Sequence, residues 1–251
     1  MTDRTKISVV TVCRDAASTI GRTLESVLDQ TYEGPVEYII KDGCSGDDTL
    51  SIAESYRERF EKRGIAYRII SSPDKGIYDA MNMGIGECTG ELVGLLNADD
   101  IYEKGCLAAV AKRYEETGFD LCFGDIRMIL PSGRTFIKKA RCRRYTTSRD
   151  WNHPTQFVRR SLYDRFSYRC ENISDDMDLY FAVKKSGAKI EVINEVLADF
   201  TMGGVSSSIP LREVPERIMR RYRIYRRYDY SRLYMIECVG FELVKYIGSK
   251  F

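Results

Sequence analysis

Four times between Ile7 and Glu116, a short apolar or β-branched run gives way to an amphipathic helical stripe. "ISVVTV" (7–12) reads as a strand buried on both faces. Ser18 or Thr19 then stands where a helix cap is expected, and Ile20, Leu24, Val27 and Leu28 share one helical face. "VEYIIKD" (36–42) precedes "DDTLSIAESYRERF", in which Ile52, Ala53, Tyr56 and Phe60 form the next stripe. "AYRIISS" (66–72) precedes a short helix in "IYDAMNMGI", and "ELVGLLN" (91–97) precedes a helix in "CLAAVAKRYEE". Such alternation predicts an α/β fold with parallel strands joined by crossover helices. Ligands of such sheets collect outside the carboxyl ends of the strands. Asp42 closes the second strand and Asp99-Asp100 closes the fourth, so these acids are expected at one edge.

The second half changes character. "DLCFGDIRMIL" and "RTFIKKA" flank "PSG", which predicts a hairpin. "DDMDLYFAVKKSGA" reads as a helix opened by Asp175 or Asp176 and stopped by Gly187, and "KIEVINEVLADF" as a strand. From Pro210 onward the pattern is helical and rich in Arg and Tyr. With no repeat or low-complexity linker, the two halves are expected to share one core.

Charge excludes little by itself: 39 basic and 37 acidic residues leave a net +2 in 251 residues. Its distribution says more. Lys138 to Arg149 holds six basic residues and no acid, and Leu211 to Arg232 holds eight arginines against Glu213, Glu216 and Asp229. The eight cysteines are scattered singly without a CxxC pair, as expected of reduced thiols in the cytosol. No apolar run approaches the ~18 residues of a bilayer span. With a strand expected from Ile7, no targeting segment is expected before the fold.

Adjacent acids at a strand end need a reason. Asp99 and Asp100 would either cap the next helix or hold a hard cation such as Mg²⁺ or Mn²⁺, whose shell substrate phosphates complete. No GxxxxGK[ST] is present and no GxGxxG follows a strand, which argues against P-loop and NAD enzymes. At the second candidate site, the acids of "DDMD" would either stabilise a helix start or include a general base.

"ISVVTVCRDAASTIGRTLESVLDQTY", "EYIIKDGCSGDDT", "SSPDKGIYDAMNMGIGECTGELVGLLNADD" and "ISDDMDLYFAVKKSG" together resemble family-2 glycosyltransferases of the GT-A fold, of the bacterial surface-polysaccharide type. The resemblance spans about residues 6 to 205. It implies a Rossmann-like, mostly parallel sheet flanked by helices, with a helical C-terminal appendage. The expected division is a domain over 1–208, with a nucleotide-binding half (1–118) and an acceptor-binding half (119–208), followed by a basic segment (209–251). The implied activity is inverting, metal-dependent transfer of a sugar from a nucleotide-diphosphate donor, with uracil the commonest base. The implied acceptor is a saccharide or a polyprenyl-diphosphate-linked saccharide.

By position in the motifs, the resemblance assigns Thr11, Asp42, Asp74, Lys75 and Asp99 to the nucleotide sugar. It assigns Asp99 and Asp100 to a divalent cation, Mn²⁺ or Mg²⁺, and Asp176 to the catalytic base, with Asp175 and Asp178 as rivals. Asn97, Trp151, His153 and Asp175 fall near the acceptor or the diphosphate. Each has a plainer reading as well: a loop cap at Asp42, a solvated turn at Asp74-Lys75, a structural hydrogen bond at His153, core packing at Trp151. The sequence departs from the family pattern at Asn97, where the commonest motif has an acid, and at Arg14-Asp15, where an aromatic usually lies near the base.

For the C-terminal segment, Ile218, Tyr222 and Tyr225 share one face, and Ile236, Val239, Leu243 and Ile247 form a stripe on a second helix. Two readings stand: helices packed on the domain with a solvated basic side, or a surface over 211–250 resting on anionic lipid. The second would place a cytoplasmic protein at the inner face of the membrane. Nucleic acid is not an expected partner, since no reading motif accompanies the arginines. A rival functional class is a non-catalytic saccharide- or lipid-headgroup-binding module. A sugar-1-phosphate nucleotidyltransferase ranks below it, because "TVCRDAAST" lacks a glycine-rich loop.

Overall fold

The computed structural model describes residues 4–147, 149–202 and 211–248. The expected strands and helices form in the expected order. β1 (Ile7–Cys13), β2 (Val36–Asp42), β3 (Ala66–Ser71) and β4 (Leu92–Leu95) are all parallel and lie side by side in the order β3-β2-β1-β4. Between them run α1 (Ile20–Leu28), α2 (Thr49–Ser55), α3 (Arg57–Lys62) and α4 (Ile77–Gly86). The stripe read as one helix over 47–60 is two, because the chain tightens at Tyr56, where Arg59 N reaches back three residues to Tyr56 O at 3.0 Å.

Beyond β4 come β5 (Ile101–Tyr102), α5 (Cys106–Thr117), β6 (Leu121–Ile129), β7 (Thr135–Lys138) and β8 (Phe157–Arg159). The chain then forms α6 (Asp175–Lys185), β9 (Ile190–Thr201), α7 (Val214–Arg227) and α8 (Tyr234–Gly248). One sheet carries both halves in the order β3-β2-β1-β4-β8-β6-β9-β5, with β7 hairpinned onto β6. β8 runs antiparallel to both β4 and β6, so the sheet is mostly parallel but mixed. β4 meets β8 so closely that a Cβ at Gly94 would lie 2.4 Å from the Phe157 ring.

Every residue of β1 and β2 is buried, as their unbroken apolar runs predict. Alternate residues face opposite sides. Val9 joins Leu24, Tyr38 and Phe60 in one core, while Val10 joins Ile39, Phe123, Tyr180 and Phe181 in the other. α4 lies directly on β1, since a Cβ at Gly84 would come within 2.5 Å of Val10. α7 enters the second core through Ile224 and Tyr225, with Ile218 and Tyr222 packed against it.

α8 packs on the domain through a face other than its apolar stripe. Cys238 and Glu242 face inward, while Ile236 and Leu243 are 72% and 45% exposed and Val239 is half-buried. The cause is an ion cluster: Arg221, itself buried, places Nε and Nη2 at 3.2 and 3.1 Å from Glu242 Oε1, and Arg217 Nε lies 3.2 Å from Oε2. Pairing a buried carboxylate fixes the rotation of the helix and turns its apolar stripe outward. The side chain of Ile247 and the expected boundary at 208/209 lie outside the described residues.

Candidate active site

The carboxyl edge of the parallel strands gathers the first group of acids. Register aligns Asp42 with Cys13 on one side and Ser71 on the other. Asp42 is fully buried. It accepts the Ser45 hydroxyl, the Ser45 amide at 3.1 Å and the Ser71 hydroxyl at 2.7 Å. Burial alone would raise its pKa, but these donors outweigh it and hold the carboxyl below its usual range. The geometry is therefore that of a loop cap for residues 43–45.

Beneath this loop lies a residue that the motifs did not single out. Lys41 is fully buried, and its Nζ donates to Asp42 O at 2.8 Å and Ser72 O at 2.7 Å and pairs with Asp74 Oδ2 at 3.4 Å. Asp74 also accepts the Gly76 amide at 3.0 Å. Lys41 thus ties the Asp42 loop to the Asp74 loop. A lysine within a buried strand was the available signal. Lys75 is exposed, and its amide is held by Asp79 at 2.9 Å. Thr11 is not at a strand end. It lies inside β1, fully buried, 2.9 Å from the Tyr38 hydroxyl, so that its side chain is spent in the core.

β4 stops at Leu95, and residues 97–100 form a tight turn closed by Asp100 N to Asn97 O at 3.1 Å. Helix capping is excluded as the role of Asp99 and Asp100, because α5 begins only at Cys106, after a Gly105 cap. Asp99 is half-buried and Asp100 fully buried, and neither has an ion pair among the described residues. Asn97 Nδ2 donates to Asp100 Oδ2 at 3.2 Å. Two buried oxygens on this turn, Asn97 Oδ1 and Asp100 Oδ1, have no hydrogen-bond partner. Burial raises the pKa of Asp100 well above the carboxylate range, and the charge of Asp99 raises it further; Asp99 is raised by its own burial, with Arg22 opposing. Crowded, donor-poor oxygens of this kind suit a hard cation. No group of three metal-binding side chains occurs among the described residues, so any shell here must be completed by ligand or water.

The second group surrounds the first turn of α6, where three acids have three different surroundings. Asp175 is buried, and its carboxylate accepts the amides of Glu171 at 2.7 Å and Asn172 at 3.2 Å, so it anchors the preceding loop. Asp178 is buried against Arg227 Nη1 at 2.5 Å, the Tyr228 hydroxyl at 3.1 Å and Arg169 Nε at 3.3 Å. Asp176 is half-buried and has one contact, with the Tyr78 hydroxyl 3.3 Å from Oδ1. Its other oxygen has no partner among the described residues.

Tyr78 stacks on Tyr168 with centroids 5.1 Å apart, and the Tyr168 hydroxyl is 3.1 Å from His153 Nε2. Asn82 brackets the Tyr168 backbone, with Nδ2 to O at 2.7 Å and N to Oδ1 at 3.0 Å. Tyr78 and Asn82 both come from "PDKGIYDAMN", so their i, i+4 spacing on α4 was the missed signal. Burial lowers the pKa of His153, with the charge of Asp176 opposing, and leaves the imidazole neutral at pH 7. Lys138 is lowered to about 8 by burial, again against Asp176. Trp151 is 4% exposed and stacked on Tyr180 at 4.5 Å, so its place is the core and not a sugar face.

Residues 8–172 match the family model described as Glycosyl transferase family 2. The chain belongs to that family. A PGL/p-HBAD biosynthesis glycosyltransferase of Mycobacterium bovis (strain BCG / Pasteur 1173P2) is 37% identical over 123 residues, 48% of this chain and 46% of that protein. Glycosyltransferase AglE of Haloferax volcanii is 28% identical over 134 residues, 53% of this chain and 43% of that one. The matches thus span less than half the length of these relatives.

Among solved structures, S. aureus TarS 1-349 in complex with UDP aligns with a TM-score of 0.66 at 18% identity, covering 97% of this chain and 72% of that one. The mannosyltransferase PcManGT from Pyrobaculum calidifontis, in complex with GDP-Man and Mn²⁺, aligns at 0.65 and 17% identity, covering 99% and 74%. At these identities the likeness shows the fold, which is GT-A as expected.

Proposed function

We propose that this protein transfers a sugar from a nucleotide-diphosphate donor to a hydroxyl of a saccharide or lipid-linked saccharide, with inversion at the anomeric carbon. One observation carries the reading: of the three acids opening α6, only Asp176 keeps a carboxylate oxygen unpaired, while Asp175 and Asp178 are spent on structure. That is what a general base for an acceptor hydroxyl requires. The UDP complex of TarS and the GDP-Man and Mn²⁺ complex of PcManGT, on the same fold, support a nucleotide-sugar donor and a divalent cation.

In this mechanism the donor diphosphate lies at the carboxyl edge of β1, β2 and β4. Asp100, with Asp99 and the free oxygen of Asn97, would hold Mn²⁺ or Mg²⁺, which supplies positive charge against the diphosphate. Asp42, Lys41 and Asp74 shape the wall on which the base rests. Asp176 takes the proton from the acceptor hydroxyl. The acceptor oxygen attacks the anomeric carbon opposite the diphosphate, the carbon–oxygen bond to the diphosphate breaks, and nucleoside diphosphate leaves. Tyr78 holds Asp176 in aim, and the neutral His153–Tyr168 pair supports Tyr78.

The test is a panel of UDP- and GDP-sugars with Mn²⁺, read by thermal stabilisation and by release of nucleoside diphosphate. Stabilisation and release by at least one donor is the expected result. Absence of both across the panel would favour the non-catalytic binding module.

A further inference from the structure

The ion cluster that turns Glu242 inward leaves α8 with an apolar outer face. Leu233, Ile236 and Val244 are 72%, 72% and 63% exposed. With the exposed Gly240 and Leu243, Ile236 and Val244 fall at i, i+4, i+7 and i+8, a single stripe along the helix, and Leu233 sits in the turn just before it. Nothing among the described residues covers it. A stripe this continuous is more than the scattered exposed hydrophobes of an ordinary surface.

The basic loop of the second half comes to the same place. Arg149 lies 5.5 Å over the Phe241 ring, and Arg143, Thr147 and Arg149 line a shallow cavity with Glu237, Gly240 and Phe241. Tyr145 is 74% exposed beneath the guanidinium of Arg144. Arg143 is committed to the buried Asp150. Arg141, Arg144 and Arg149 are exposed and have no ion pair among the described residues. A basic loop about ninety residues earlier in the sequence therefore borders the apolar ridge.

We infer that the outer face of α8 and the 141–149 loop together form a docking surface for an anionic lipid bilayer. Charge complementarity selects this occupant: free guanidinium groups and an amphipathic tyrosine flank the ridge, as at a headgroup boundary, whereas a second copy of the chain would set arginines against arginines. No helix among the described residues is long and apolar enough to cross a membrane, so the contact is with the surface. The inference stands apart from the proposed transfer reaction and survives its failure.

The experiment is sedimentation of the full chain with vesicles of phosphatidylcholine alone, or of phosphatidylcholine with phosphatidylglycerol. Light scattering of the protein alone runs in parallel. The variants are I236D/L243D and R144Q/R149Q, each checked for an unchanged melting temperature; both sets of side chains are exposed, and folding should tolerate their loss. Expected is salt-sensitive binding to the anionic vesicles only, lost in I236D/L243D and about fivefold weaker per arginine neutralised. Failure of the wild type to bind anionic vesicles, or equal binding by I236D/L243D, would overturn the inference. So would a dimer abolished by I236D/L243D without vesicle binding, which would assign the ridge to a second copy.

Discussion

Arg227, the last residue of α7, reaches Asp178 in the first turn of α6 at 2.5 Å, and its other nitrogen reaches Glu171 at 3.1 Å. The C-terminal helices thereby grip the turn that presents Asp176, two residues before Asp178, together with the loop that enters it. A segment outside the family match is built into the candidate site.

This grip predicts a positioning role. Arg227→Ala should lower kcat about tenfold, the equivalent of about 1.4 kcal/mol, with the donor Kd unchanged. Arg227→Lys should recover part of the loss. Steady-state kinetics beside calorimetric donor titration checks both. A parallel loss in donor affinity would mean that α7 only supports the fold.

Asp100→Ala should act on the other half of the site. The variant removes the buried carboxylate from the turn of residues 97–100, so donor binding should weaken and lose its dependence on Mn²⁺. Titration of UDP or GDP with and without Mn²⁺ reads this directly. The melting temperature should hold or rise, because a crowded and poorly paired buried acid is removed.

Trp151→Ala should behave as a core truncation. With the indole stacked on Tyr180 and edge-on to Phe181, the expected loss is about 3–5 kcal/mol in denaturant unfolding. The conservative Trp151→Phe should keep activity, which an acceptor-stacking role would not allow so easily.

Acid should loosen the parallel part of the sheet around β1 and β2 through Glu37. This buried carboxylate accepts the hydroxyls of Ser8 and Thr89 and the amides of Thr89 and Gly90; burial opposes ionisation, but these donors prevail and lower its pKa. A depressed folded-state pKa gives stability that is fully present above the ordinary value of 4.5 and is lost as pH falls through the lowered one. Unfolding free energies of Glu37→Gln and wild type should therefore converge at low pH and differ most near neutrality.

The sheet and its helices were legible because burial imposes a period: unbroken β-branched runs for strands covered on both faces, a 3.6-residue stripe for helices. The acids at the carboxyl edge followed from that alone. Other features depend on partners remote in sequence. Thr11 faces Tyr38, Trp151 faces Tyr180, and neither neighbour can be read from local spacing. The rotation of α8, on which the choice between its two readings turned, depends on the pairing of its Glu242 with Arg221, 21 residues earlier, which no local periodicity reveals. The choice among Asp175, Asp176 and Asp178 likewise rests on what Arg169, Arg227 and two backbone amides occupy.

The most direct test of the account is nucleoside-diphosphate release by Asp176→Asn, measured with the best donor of the panel and with its Kd determined alongside. The account predicts turnover reduced by about 10²–10⁴ while the Kd stays within about twofold of wild type. Turnover by Asp176→Asn at the wild-type rate would contradict it.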